Sequence, residues 1–294
     1  MKKTVRIPAK INLTLDITGV KDGYHELLSL VTSVNIFDTI CAKNRTDDKI
    51  TVTFTGLPCG VAGENSHAKK AAELFIKSFG GRGADITVKR GIPAGGGLGG
   101  SSADAAGVLL CLKKLRFKEL VGGGRSEKDI EAELVNIANL LGSDTAYMLK
   151  GGYAVLSGRG EKIERLAERK KLFYLIIAGK EGVSSSECYK RYDELGVKGA
   201  PVTEKAARAL RCGEEEEFAK HLKNDLYPAA AEILPEIGEN LSELSACGAA
   251  AMTGSGSAAF GLYESAKKRN AAYKKLKAKY GKRLIKAKTV LRAN

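Results

Sequence analysis

Residues 91–115 read GIPAGGGLGGSSADAAGVLLCLKKL, and this stretch constrains the fold more than any other. Five glycines in the six positions 95–100 run into an alanine-rich, mostly apolar segment whose composition predicts a deeply buried helix. Consecutive glycines allow positive φ, and without Cβ atoms the backbone N–H groups can approach an anion. Ser101, Ser102 and Asp104 open the helix, and a helix N-terminus attracts phosphate. A serine-capped turn needs fewer glycines than this, so phosphate binding is the better reading. GGGLGG formally satisfies G-x-G-x-x-G, but it follows some ninety residues of chain, and Pro93 separates it from the preceding strand. A dinucleotide fold places that loop after its first strand. A Walker loop fails too, because Ser101 stands where the lysine belongs. The cation for a bound phosphate must therefore come from elsewhere in the chain.

The chain has 294 residues, enough for two domains, with 44% hydrophobic and 28% charged residues. That composition excludes wholesale disorder, collagen and coiled coil. No run of eighteen apolar residues exists and the N-terminus has no long apolar core, so neither a membrane span nor a signal peptide is expected. The net charge of +14 is local: residues 265–294 hold twelve Lys and Arg and no acid, and the rest of the chain is only +2. A solvated helix face is the favoured reading of that segment, ahead of a nucleic-acid patch. The six cysteines form no C-x-x-C and none sits at zinc spacing from a histidine, which fits a reducing cytoplasm.

Strand-like alternation fills the first fifty-five residues (INLTLDITG, ELLSLVTSVNI, DTICAK, KITVTFTG). Helical periodicity follows over 64–79, with Ala71, Phe75 and Phe79 on one stripe, then a strand at 84–90. A helix is expected over 128–141, with Ser126 and Asp129 as its capping pair and Gly142 closing it. A short helix starts near Ser143 and Asp144, and 153–158 is a strand. The polar run 164–171 reads as a linker, which places domain limits at 1–163 and 164–294. The second half begins with a strand at 173–180. It continues with helices near 185–193, 202–211, 214–223 and 229–246, strands at 249–252 and 258–263, a helix over 264–280 and a last strand.

Two ionisable residues invite attention. Lys10 stands at the entrance of a strand, where an exposed lysine is ordinary. Asp144 stands at a helix start, where a capping aspartate is frequent. Brought together, an Asp and a Lys could orient and deprotonate a hydroxyl during phosphoryl transfer, but sequence physics cannot pair residues 134 positions apart. TGSGSAAFG (253–261) is a second glycine-serine loop, either a flexible turn or a backbone lining a cleft.

These residues together resemble the GHMP small-molecule kinases. PAGGGLGGSSADAA (93–106) matches that family's Pro-then-G-L-G-x-S-S-A signature, and the likeness runs end to end. PAKINLTL (8–15) followed by DGYHEL (22–27) is its most specific element, and it points to members acting on a cytidine-diphosphate-linked methylerythritol. GENSHAKKAAELF, LGSDTAYMLKGGYAVLSGRGE, GVSSSECY, NDLYPAA and MTGSGSAAFGLY complete the order. The resemblance implies a two-domain α/β (α+β) GHMP kinase fold with its active site in the cleft between domains. It implies ATP and Mg²⁺ as cofactors and a small-molecule cytidine-diphosphate substrate as partner. It implies no membrane and no nucleic acid, a monomer or homodimer, and a cytoplasmic setting.

By position, the resemblance assigns catalysis to Lys10 and Asp144, the Asp activating the 2-hydroxyl of the acceptor. It assigns ATP binding to Pro93, Ala94, Gly95, Gly96, Gly97, Leu98, Gly99, Gly100, Ser101, Ser102, Ala103 and Asn65, with Ser102 as a candidate Mg²⁺ ligand. It assigns substrate binding to Asn12, Tyr24, His25, Ser185 and Tyr189, with Tyr24 and Tyr189 stacking on the cytosine and His25 bonding its edge. Competing readings are another GHMP kinase, of mevalonate or homoserine type, and a nucleic-acid binder using the basic C-terminal segment. Three departures from the family pattern stand out: Ser101 in place of a frequent glycine, Thr145–Tyr147 in place of V-P-F, and Ala178–Lys180 in place of a proline.

Overall fold

A computed structural model of the chain describes residues 2–58, 63–167, 170–197 and 199–291. Cys59 and part of the 164–171 stretch read as a linker lie outside the described residues. The elements in order are β1 (Lys2–Asn12), β2 (Thr14–Lys21), β3 (Tyr24–Asn44), β4 (Ile50–Gly56), α1 (His67–Phe79), β5 (Ala84–Arg90), α2 (Gly100–Gly122), α3 (Glu127–Leu141), α4 (Thr145–Met148), β6 (Ala154–Gly158) and β7 (Lys162–Arg165). They continue with β8 (Phe173–Ile177), α5 (Ser185–Leu195), α6 (Thr203–Cys212), α7 (Glu215–Lys220), β9 (Lys223–Asn224), α8 (Tyr227–Ile233), α9 (Glu236–Ser245), β10 (Ala249–Met252), β11 (Ala259–Tyr263), α10 (Ala266–Tyr280) and β12 (Leu284–Lys288). The mixed α/β class agrees with the sequence reading.

Two compact units interleave along the chain. The first comprises 1–9, 36–94 and 99–150; the second comprises 10–35, 95–98 and 151–294. In the first unit β5 pairs antiparallel with the second half of β3 (Thr39↔Lys89) and parallel with β4 (Ile50↔Ala84). Helices α1, α2 and α3 pack on one another, and their apolar stripes form the core: Ala71, Phe75, Leu109, Leu112, Ile130, Leu134 and Ile137 are buried. The Ser126 cap is present, its hydroxyl accepting from Asp129 N. Ser66 caps α1 in the same way, accepting from Lys69 N.

In the second unit β2 pairs with the first half of β3 across a two-residue turn, Lys21↔Tyr24. Asp22 (φ 51°) and Gly23 (φ 76°) both adopt left-handed backbone, the conformation that matches the twist of a tight hairpin. The β6–β7 hairpin pairs with β3 (Leu27↔Gly158), and β9 runs parallel to β2 (Thr14↔Lys223). A four-stranded sheet, in the order β10-β11-β8-β12, is covered by α9 and α10 around buried Leu175, Ile177, Leu244 and Leu276.

Four expectations are corrected. The strand that holds Lys10 begins at Lys2, so Lys10 lies near its end and not at its entrance. ELLSLVTSVNI and DTICAK form one strand, because Asp38 does not break it; its carboxylate accepts the Gly91 and Ile92 amides at 2.7 and 2.9 Å. Residues 164 and 165 of the polar run belong to β7, which pairs with β6. The helix expected over 229–246 is two helices, because Leu234 precedes Pro235 and takes an extended conformation (φ −137°, ψ 90°).

Candidate functional site

The second unit holds a buried polar frame around Lys10, which is 4% exposed. Its ammonium donates to Asn12 Oδ1 at 2.6 Å; residues i and i+2 share one face of a strand. Asn12 is a junction. Its amide nitrogen donates to Ser29 Oγ at 2.8 Å, its backbone N–H donates to Thr253 Oγ1 at 2.9 Å, and its Oδ1 also accepts the Gly254 N–H at 3.1 Å. Asn224, buried at β9, donates to the carbonyls of Met252 and Gly254 at 3.0 and 2.8 Å and accepts Leu226 N at 3.0 Å. The TGSGS loop is thus pinned from both sides and is not a flexible turn.

Residues 95–98 of the glycine stretch lie against this frame. Lys10 N donates to Leu98 O at 3.0 Å, Ala258 N donates to Gly96 O at 3.3 Å, and Ser257 N donates to Gly95 O at 3.2 Å. At Gly97 (φ +68°) a Cβ would collide with the Thr253 carbonyl, so this position requires glycine both for its conformation and for the close approach. Ser185, the first residue of α5, reaches Ser255 Oγ at 3.0 Å, which ties that helix to the same loop.

At the tip of the β2–β3 hairpin, Tyr24 is 53% exposed and His25 is partly buried. His25 stacks on Tyr189 with ring centroids 4.7 Å apart and planes 24° apart, and meets Tyr192 edge-on at 6.1 Å. Its Nε2 lies 2.7 Å from Asp193 Oδ1. Tyr189 and Asp193 are one helical turn apart on α5, so both can face the hairpin. Tyr24 carries the guanidinium of Arg159 over its ring, 3.6 Å from the centroid. The sequence reading named Tyr24, His25 and Tyr189, and the structure gathers His25 and Tyr189 into one cluster. It missed Tyr192, Asp193 and Arg159; only the i+4 spacing from Tyr189 signals Asp193.

In the first unit α2 starts at Gly100 behind Gly99, which is left-handed (φ 74°), and no side chain caps it. The serine-capped turn, the less favoured sequence reading, is thus not formed, and a helix N-terminus of this kind is attractive to phosphate. Pro93, Ala94, Gly99, Ser101, Ser102 and Ala103 belong to this unit, as does Asn65, exposed just before the α1 cap. Gly142 borders the hydroxyls of Ser102 and Thr145, at 3.9 and 3.6 Å from where its Cβ would stand. Thr145 Oγ1 is buried and has no hydrogen-bond partner. Asp144 occupies the N-cap position of α4, but its side chain does not cap it. Tyr147, one of the departures from the family pattern, is fully buried, and the helix forms there all the same. Among the described residues no cluster of three or more His, Cys, Asp and Glu could hold a metal ion.

Below the start of α2, Asp104 pairs with Arg90 at 2.6 Å, with only 3% and 9% of the two side chains exposed. Burial pushes the Asp104 carboxyl up to about 7; Arg90 pulls it down and the neighbouring Asp38 pushes it up. Burial raises Asp38 as well, against the Ile92 and Gly91 amides that hold its charged form. Asp38 Oδ2 and Asp104 Oδ1 have no other partner, an arrangement that favours one proton held by the pair.

Much of the basic C-terminal segment is engaged within its own unit. Lys279 pairs with Glu243, Lys268 with Glu264 and Arg283 with Glu236, while Arg269 donates to Ala287 O and covers Phe173. Among the described residues no helix is long and apolar enough to cross a membrane.

Residues 66–154 match the model for the GHMP kinases N terminal domain, and residues 205–282 match the GHMP kinases C terminal model. The chain belongs to the GHMP kinases. It is 38% identical over 264 residues to a 4-diphosphocytidyl-2-C-methyl-D-erythritol kinase of Desulfitobacterium hafniense, covering 87% of this chain and 85% of that one. A kinase of the same name from Caldanaerobacter subterraneus subsp. tengcongensis is 33% identical, over 95% and 94% of the two chains. A crystal structure of 4-(cytidine 5′-diphospho)-2C-methyl-D-erythritol kinase superposes with a TM-score of 0.75 at 28% identity, over 97% of this chain and 98% of that one. Homoserine kinase from Cytophaga hutchinsonii shares the fold, with a TM-score of 0.71 at 17% identity, over 99% and 95% of the two chains.

Proposed function

We propose that the chain transfers the γ-phosphate of ATP to the 2-hydroxyl of 4-diphosphocytidyl-2-C-methyl-D-erythritol. The observation that carries the choice of substrate is the aromatic cluster at the hairpin tip: Tyr24 with its ring exposed, and His25 stacked on Tyr189. A polyol or amino-acid acceptor has no use for such a surface, whereas a cytosine does. The names of the relatives support the same choice.

In this reading Asp144 accepts the proton of the acceptor hydroxyl, and Lys10 stabilises charge on the transferring phosphate. The open amides of α2 and residues 95–100 cradle the phosphates of ATP. Most of the rate enhancement then comes from positioning and preorganised charge. Mg²⁺ takes oxygen ligands and keeps phosphates and waters in its shell, so it needs no three-residue protein cluster. The Ser102 hydroxyl fits it, with the unpartnered Thr145 hydroxyl near the same glycine; Mg²⁺ would neutralise phosphate charge there. A cytoplasmic setting accords with Cys41, Cys111, Cys188, Cys212 and Cys247, all free thiols.

The test is acceptor-dependent ADP release with Mg-ATP and a panel of the cytidine compound, mevalonate and homoserine. Turnover is expected with the cytidine compound alone. Asp144→Asn and Lys10→Ala should each lower kcat by about 10²–10⁴-fold, the usual worth of a general base or a charge-stabilising group. Turnover with mevalonate or homoserine instead would keep the kinase and discard the base site.

A further inference from the structure

Two hairpin tips meet in the second unit. One is the Asp22–Gly23 turn, which presents Tyr24. The other is the β6–β7 turn, where Gly160 N donates to Ser157 O and Ser157 pairs with Lys162. Leu27↔Gly158 is the last pair that joins β3 to β6, so Arg159 emerges beside the first residues of β3. Its backbone N–H donates to Glu161 Oε2 at 2.7 Å, which fixes the turn from which its side chain leaves. The guanidinium then lies over Tyr24, 3.6 Å from the ring centroid. A planar guanidinium stacks on an aromatic face as an ammonium cannot. With one face so covered Tyr24 remains 53% exposed, which leaves the opposite face to a ligand.

We propose that Arg159 is a specificity-determining positioning residue of the base site: it backs Tyr24 and fixes the tilt of the ring, so that the nucleobase stacks on the opposite face. The inference rests on the cytosine reading given above and goes beyond it. An unbacked tyrosine at a hairpin tip would sample several rotamers, and the base would have to order it on binding. Arg159 does that ordering before the ligand arrives.

The test is steady-state kinetics of the full chain with Arg159→Ala, Arg159→Lys, Tyr24→Ala and the Tyr24→Ala/Arg159→Ala double variant. The readouts are kcat, KM for the cytidine substrate and KM for ATP. Arg159→Ala is expected to raise KM for the cytidine substrate about two- to fivefold, the worth of an exposed cation–π contact. KM for ATP should stay the same and kcat within about twofold, with Arg159→Lys between wild type and Arg159→Ala. In the Tyr24→Ala background, loss of Arg159 should add nothing further. An unchanged or lowered KM in Arg159→Ala, while Tyr24→Ala raises it, overturns the role of Arg159 and leaves the base site standing. A further rise in the double variant also overturns it, because Arg159 would then touch the substrate itself. If Tyr24→Ala leaves KM unchanged, the base site and the role of Arg159 fall together.

Discussion

The second unit contains two regions built on opposite plans. Around Lys10, Asn12, Asn224 and Thr253, polar groups are buried, and every named bond of Asn12 and Asn224 goes to another part of the frame. At the hairpin tips, Tyr24, His25, Arg159 and Asp193 are held by ring stacking and one short polar contact, and Tyr24 is open to solvent. Group transfer needs reacting atoms held to a fraction of an ångström, and a buried network enforces that. Stacking on a base tolerates slippage in the plane of the ring, so an exposed cluster suffices. The first unit repeats the buried plan with Asp38, Arg90 and Asp104, the last in the first turns of α2.

Substitutions in the buried frame should therefore strike turnover, and those at the tips should strike substrate affinity. After the Asp144 and Lys10 variants, the largest effect is expected from Gly97→Ala, which sets a Cβ against the Thr253 carbonyl at a positive φ. Loss of kcat/KM for ATP of roughly 10²-fold or more should follow, since a misplaced phosphate cradle costs about that much; ATP titration of the folded variant measures it. Next comes Asn12→Ala, which removes one acceptor of Lys10 and the side-chain acceptor of the Gly254 amide. With its position no longer fixed by Asn12 the ammonium is misplaced, so kcat should fall by about tenfold or more while KM for the cytidine substrate moves little. If KM rises instead with kcat intact, Asn12 belongs with the affinity group and the contrast breaks.

Tyr189→Ala reverses the pattern. KM for the cytidine substrate should rise by about 5- to 100-fold, the worth of one stacked base, with kcat nearly unchanged. The smallest effect on turnover, and a distinct one on stability, is expected from Asp104→Asn. The folded chain holds a proton on the Asp38–Asp104 pair up to about pH 7, whereas the unfolded carboxyl loses it near 3.8. Stability from this pair is full below about pH 4 and declines as pH rises towards 7, by at most about 1.4 kcal/mol per pH unit. Urea midpoints at pH 5 and pH 8 should show wild type losing ground to Asp104→Asn as pH rises, and a constant gap would remove the shared proton.

The legibility of the sequence divides along the same line. Local signals were readable: the Ser126–Asp129 cap, the glycine loop entering α2, and the apolar stripes of α1 and α3. Long-range decisions were not. Nothing local says that a strand runs through Asp38, because its stabilising partners, the amides of 91 and 92, lie some fifty residues on. The break before Pro235 is legible from the proline alone, since the residue before a proline is disfavoured in helical conformation. Lys10 and Asn12 could have been joined by the period-two rule. The aromatic cluster draws on residues 24, 25, 159, 189 and 193, and only the family resemblance points to three of them.

The interleaving of the two units also bears on how the chain is made. The second unit starts at Lys10, and its last contacts involve residues near the other end: Val34 bridges Thr289, Tyr153 hydrogen-bonds Thr289 at 2.9 Å, and Val290 N donates to Ser33 O at 2.9 Å. On a ribosome working at about 5–20 residues per second, the strands around Lys10 wait roughly ten seconds or more for β12 to be synthesised. Leu98 and β6 are made earlier and can pair with these strands, whereas Thr253 and Gly254 follow much later. The frame around Lys10 therefore closes only once Thr253 and Gly254 have been made, long after the strand that carries the lysine.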